Sequence, residues 1–291
     1  MPVTAGRSGA AVGIKIITDT SCDLPQEVLE QYNIEMIPLK VTFANGETYL
    51  DRFEICPRTF VEKMSSSATL PKTSAPDPHT FVKYFEQGIR ETGAVIFVSL
   101  SSGLSSTSQI AQMACNMMNS SKVKVFDSLT ASLGTGIMAI RAAQMAARGM
   151  SLEAVLEKLA AIRATREVIF VLDTLENVVK GGRLSKFEGM AGTILNIKPI
   201  LRGNQLGIPE IVEKVRGRKK AMKRLVAMVG ELAGASLLHR IVGISHVNCL
   251  EDADKLAWEI NSQYQQEAVL ISDMSATIGT YAGEGGLMIN F

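Results

Sequence analysis

The chain implies an α/β fold in two domains. The first should hold a mainly parallel sheet flanked by helices. The second should be a smaller α/β domain with a mixed or antiparallel sheet. Three observations lead there. Short apolar runs that read as buried strands alternate with helical stretches through the first half. Three of those runs end in hydroxyl- and carboxyl-rich turns: Asp19-Thr20-Ser21, Ser101-Ser102-Gly103 and Asp127-Ser128. After residue 167 the pattern shifts towards strands joined by turns. The expected division is therefore a flexible extension over 1–13, an N-terminal domain over 14–167 and a C-terminal domain over 168–291.

The elements follow in order. Ile14 to Ile17 reads as the first strand, and Asp23 as the cap of a helix through Gln26 to Tyr32, with Pro25 near its first turn. Ile34 to Phe43 holds one or two short strands, and Pro57 to Met64 a helix. Ser65 to Pro78 is a long polar loop with three prolines, a type that is either disordered or functional. A helix over His79 to Thr92 leads into the strand Val95 to Val98, a hydroxyl-rich turn and another helix. Strand, polar turn and helix N-terminus is where α/β proteins place ligands. Val123 to Phe126 is a further strand, with helices over Gly134 to Ala147 and Met150 to Thr165. In the second half, Val168 to Leu172, Leu195 to Leu201, Ile208 to Val215 and Ile241 to His246 read as strands. Arg216 to Arg224 reads as a basic helical stretch and Leu250 to Gln266 as a helix. Two closing strands are expected around Gly279 to Gly286.

Composition narrows the function. Of 291 residues, 46% are hydrophobic and 20% charged, and the net charge is +1, so nothing draws the chain to nucleic acid or an anionic membrane. Aromatic residues, at 5%, are too few for base-stacking platforms. No uncharged apolar run is long enough to span a bilayer, so no integral membrane segment is expected. Cys22, Cys56, Cys115 and Cys249 are scattered without metal-ligand spacing. They read as reduced thiols of a cytoplasmic protein, with no cofactor and no metal. Only His79, His239 and His246 could serve as a base, and none sits in a serine-centred motif. Walker A and strand-linked G-x-G-x-x-G patterns are absent. Gly181-Gly182-Arg183 is either an anion nest or a helix C-cap followed by a surface arginine. A neutral hydroxyl cluster with one nearby arginine is poor catalytic equipment. It is a reasonable receptor for a carboxylate, since hydroxyls satisfy it without burying a second charge.

Together these stretches resemble one family. Ile16 to Pro25, Thr73-Ser74-Ala75-Pro76, Ser101 to Thr107, Asp127-Ser128, Gly181 to Ser185, Ile197 to Leu201 and, more loosely, Ile278 to Gly285 look like the ordered motifs of the DegV family. The resemblance implies two α/β domains with a long-chain fatty acid, such as palmitate, stearate or oleate, held between them. It implies a carboxylate gripped by Thr73 and Ser105 and supported by Arg183. Ser74, Ser106, Tyr281, Asp19 and Ser128 complete the candidate site. It also implies presentation of the fatty acid to a separate fatty-acid kinase, with no catalysis by the binding protein itself. The chain departs from the family pattern at Ser106, where glycine is usual, at Ala75, where glutamine is usual, and at Tyr281, where histidine is usual. The rival reading is an acyl- or phosphoryl-transfer enzyme using Ser105 or Asp127 with Arg183.

Overall fold

The computed structural model describes residues 13–184 and 196–291. The expected extension over 1–13 lies outside them except for Gly13, which opens the first strand, and so does Ser185 of the glycine-arginine motif. Four apolar segments, β1 (Gly13–Asp19), β2 (Ile34–Ile37), β6 (Gly93–Ser99) and β7 (Val123–Asp127), form an all-parallel sheet in the order β2-β1-β6-β7. Its strands are apolar on both faces because both are covered. Ile17, Val95 and Phe97 pack against Phe81 and Phe85 of α3 (Pro78–Thr92) and Ala111 and Ala114 of α4 (Thr107–Met118). Ile16, Ile96 and Val98 pack against α1 (Gln26–Gln31), α5 (Leu133–Ala147) and α6 (Leu152–Ala164).

A second sheet is six-stranded and mixed, built from β8 (Val168–Val171), β9 (Ile197–Gly203), β10 (Pro209–Arg216), β11 (Ile241–His246), β12 (Ala268–Asp273) and β13 (Leu287–Asn290). Its order is β10-β9-β8-β13-β11-β12, and only β11 and β12 pair in parallel. Period-two alternation gives it two different faces. Ile169, Val171, Leu287 and Ile289 enter a core with α8 (Arg218–Ala233) and α9 (Leu250–Gln263). Val168, Phe170 and Met288 point the other way, into a core shared with Leu39, Leu100 and Ala131 of the first half.

Four sequence expectations need correction. The long polar loop contains a strand, β5 (Lys72–Ser74), which pairs with β3 (Lys40–Thr42) and, through it, with β4 (Thr48–Leu50) in a third, antiparallel sheet. The basic helical stretch begins at Arg218, two residues later than expected, because β10 runs on to Arg216; Arg218 and Arg224 are held by Asp173, Asp252, Glu213 and Glu231. The chain near Gly279 is a helix, α10 (Ala276–Ala282), not a strand flank. Its glycine and β-branched threonines and isoleucine are weak helix formers, so local propensity conceals it.

The fourth correction explains the third. Asp23 does not cap α1, whose N-cap is Pro25 with no side-chain hydrogen bond. It sits at φ 52° after a 3-10 turn, fully buried, and accepts hydrogen bonds from Ser275 N (2.9 Å) and Ser132 Oγ (2.5 Å). Asp51, also buried, accepts from Ala276 N and Thr277 N (both 3.0 Å) and from Thr277 Oγ1 (2.6 Å). Two carboxylates from the first half thus satisfy the amides at the N-terminus of a helix in the second. Burial pushes the Asp51 carboxyl above its ordinary range, against the pull of Thr277 and Ala276. It pushes Asp23 up to about 7, against the pull of Ser132 and Ser275.

Replacing Asp51 by alanine strands two buried amides, so Asp51→Ala should lower stability by about 2–3 kcal/mol, read as a shift in the urea midpoint; an unchanged midpoint would contradict the cap. The Asp23 proton is held in the folded state where the unfolded chain has released it. Its contribution to stability is therefore fullest below the ordinary value of 3.8, declines as pH rises, and levels off above about 7. Urea midpoints should follow that decline, and Asp23→Asn should flatten it. An equally steep decline in Asp23→Asn would place the titrating group elsewhere.

Candidate functional site

The faces turned towards each other by the parallel sheet's carboxyl edge and the mixed sheet enclose a cavity lined from both halves of the chain. Val168, Phe170 and Leu172 line it along β8, while Leu39, Leu100, Ala131, Ile278 and Met288 line it from other elements. The lining is therefore mainly apolar. A cluster of its polar groups, Thr73, Ser105, Arg183 and Tyr281 among them, gathers near the end of α7 (Glu176–Lys180).

That polar end is assembled from four parts of the chain. The β3–β5 pairing sets Thr73 opposite Val41, so a sheet, not a loose loop, fixes it. The Thr73 Oγ1 and Tyr281 Oη share a hydrogen bond at 2.6 Å. Tyr281 comes from α10, so the anchoring of that helix decides where its hydroxyl stands. The Tyr281 ring lies under the Arg183 guanidinium at 4.6 Å, within cation–π range. Gly181 allows this, because a Cβ there would strike the ring at Cδ1 and Cε1. Arg183 is further held by donating to Leu104 O (3.2 Å) and Gly181 O (2.6 Å). Ser105 opens the turn before α4, its amide donating to Ser101 O. Its hydroxyl shares a hydrogen bond with Thr107 Oγ1 (2.8 Å) and accepts from Thr107 N. Ser106 has φ −78° and ψ 5°, a conformation open to any residue, so serine costs nothing in place of glycine.

Thr73, Ser74, Ser105, Ser106, Arg183 and Tyr281 all line the cavity. Asp19 and Ser128 stand behind its wall. Asp19 is fully buried and accepts from Leu100 N and from both the amide and the hydroxyl of Ser21. It ties the end of β1 to the chain leaving β6, and burial raises its pKa. Ser128 is likewise buried, with its hydroxyl bonded to Thr135 Oγ1 and its amide to Ser99 O. The Asp127 carboxylate accepts from Ser102 N and Leu129 N. The three polar strand ends do meet, as the alternation implies, but chiefly to bond one another.

The glycine-arginine motif is a helix C-cap. Gly181 N, Gly182 N and Arg183 N donate back to Asn177 O, Val179 O and Val178 O. Gly182, at φ 74°, takes the left-handed conformation that suits glycine. Those amides are spent on the helix, and the motif's share in the cavity is the Arg183 side chain. Arg183 is also the one charged side chain among the described residues lining the cavity, and no histidine lines it. Such an arrangement can hold an anionic head by hydroxyls and one guanidinium while an apolar chain runs along β8. Sequence reasoning missed Thr277, Ile278 and Ala282, because α10 was hidden, and Leu129 to Ala131, which carry no motif.

The chain resembles known proteins over nearly its whole length. The DegV family model, described as an uncharacterised protein family, matches residues 13–291. Protein DegV of Bacillus subtilis is 35% identical over 280 residues, covering 96% of this chain and 98% of its own. A solved DegV family protein from Thermus thermophilus, described by its fatty-acid binding, is 30% identical with a TM-score of 0.89, over 96% of this chain and 98% of that one. The Streptococcus pneumoniae fatty acid kinase (Fak) B3 protein, solved loaded with linoleic acid, is 27% identical with a TM-score of 0.83, over 96% and 99% of the two chains. By the extent of the family match and the identity to its curated relatives, this chain belongs to the DegV family.

Proposed function

We propose that the protein binds one long-chain fatty acid, of the palmitate, stearate or oleate class, and presents its carboxylate to a separate fatty-acid kinase. The observation that carries this reading is the cavity: apolar along β8, with hydroxyls and the Arg183 guanidinium at one end. Thr73 and Ser105 hold the carboxylate, with Arg183 and Tyr281 as a stacked support and Ser74 and Ser106 at the rim. Asp19 and Ser128 act one step back, by fixing the turns. The ligand lies between an N-terminal domain over 14–167 and a C-terminal domain over 168–291. The fatty-acid binding of the Thermus thermophilus relative and the linoleic acid of the Streptococcus pneumoniae protein support the ligand class. The kinase connection rests on the latter.

Burying about fourteen methylenes at ~0.8 kcal/mol each contributes on the order of 11 kcal/mol before the costs of association. Head-group hydrogen bonds, at ~0.5–1.5 kcal/mol each, mainly set orientation. The chain itself performs no chemistry in this reading. The Ser105 hydroxyl is bonded to Thr107, no histidine lines the cavity, and Asp127 is spent on backbone amides. Its four unpaired cysteines suit a cytoplasmic location. Among the described residues, no helix is long and apolar enough to cross a membrane.

Fluorescence or calorimetric titration with palmitate and oleate tests the assignment. Thr73→Ala combined with Ser105→Ala should weaken binding about tenfold, the scale of two lost hydrogen bonds, while leaving the tail contribution intact. Unchanged affinity in the folded double variant would overturn the head-group assignment.

A further inference from the structure

A second cavity lies directly behind the far end of the first. It is lined by Ile137, Met138, Ile162 and Ile241, by the charged residues Arg141, Arg166, Glu167 and Arg240, and by the exposed Ser236 and His239. The two cavities abut. The first ends on Val168, the second begins on the preceding Thr165 to Glu167, and Thr130 lines both. Resting on the fatty-acid reading, we propose that Thr130, backed by Asn290, is the end wall of the acyl site. The Thr130 side chain then sets the longest chain the protein accepts, and the second cavity is the space a longer chain would enter.

The wall is thin, polar and rigid. Thr130 Oγ1 reaches Asn290 Oδ1 at 3.5 Å, and Asn290, only 1% exposed, has no partner for its amide nitrogen. A buried polar atom without a partner is uncommon, and it stands here at a cavity face. Gly134 lets the pair close, since a Cβ there would strike both the Thr130 hydroxyl and Asn290 Oδ1. The backbone around Thr130 is locked. Leu129 and Ser132, neither a glycine, stand at φ 51° and 56°. Ser101 N donates to Thr130 O (2.9 Å), Arg166 Nε to Leu129 O (2.8 Å) and Ser132 Oγ to Asp23. Truncating the Thr130 side chain should therefore open the wall, because the backbone is held against collapsing into the gap.

The test is a displacement series with palmitate, stearate, arachidate and behenate on the full chain. In the wild type, affinity should rise along the series and then stop or fall. In Thr130→Ala the rise should continue at least one member further, with the behenate-to-palmitate affinity ratio up about tenfold, the effect of two more buried methylenes. Thr130→Val, which keeps the bulk, should retain the wild-type profile. Thr130→Ala with Ile137→Phe, which fills the second cavity, should restore it. If Thr130→Ala loses its cooperative unfolding transition, Thr130→Ser is read in the same way, with a shift of about threefold. A wild-type profile in the folded truncation variants would overturn the wall. Failure of the wild type to bind any of the four acids would instead overturn the fatty-acid reading on which it rests.

Discussion

Two buried carboxylates, Asp23 and Asp51, hold the N-terminus of α10 across the molecule, and the polar end of the cavity depends on that hold. The helix has seven residues and poor intrinsic propensity. Its amides would be orphaned without these acceptors. Once anchored, it delivers Thr277, Ile278, Tyr281 and Ala282 to one cavity wall. Tyr281 then reaches back to Thr73, which the β3–β5 pairing has placed. Asp23 and Asp51 therefore tie the two halves of the chain together at the cavity they share. The cost appears in the carboxyl groups themselves, whose burial raises both pKa values.

The second determinant is alternation along β8. Ile169 and Val171 serve the core under α8 and α9, while Val168, Phe170 and Leu172 are left to face the first half. This yields an apolar track from Val168 to Leu172, four steps or about 13 Å at the rise of a strand. The hydroxyl cluster stands at one end, where the Arg183 guanidinium is stacked on an aromatic ring and pinned by two carbonyls. Among the described residues no carboxylate lines the cavity beside that charge. An anion with an apolar tail matches both features at once.

The parallel sheet was readable because β1, β6 and β7 are apolar runs that end in conspicuous polar turns. The ordered motifs likewise brought Thr73, Ser105 and Arg183 into view. What stayed hidden was long-range. Asp23 sits beside Pro25 and looks like a local cap, yet its acceptors serve Ser275 N, far along the chain. Thr73 lies in what reads as a polar linker until β3 supplies a pairing partner. Asp19 and Ser128 show the opposite error. Their polarity suggests ligand contact, but turns at a sheet edge need buried acceptors and donors of their own. Thr130 bears no motif, and its position between two cavities becomes visible only once β8 and α5 are in place.

The most direct measurement is the native mass spectrum of the full chain purified without detergent, before and after incubation with palmitate or oleate. A folded species heavier than the polypeptide by the mass of one long-chain fatty acid, and released as free acid on denaturation, is the expected result. A spectrum that stays at the bare polypeptide mass in both conditions would contradict fatty-acid binding by this cavity.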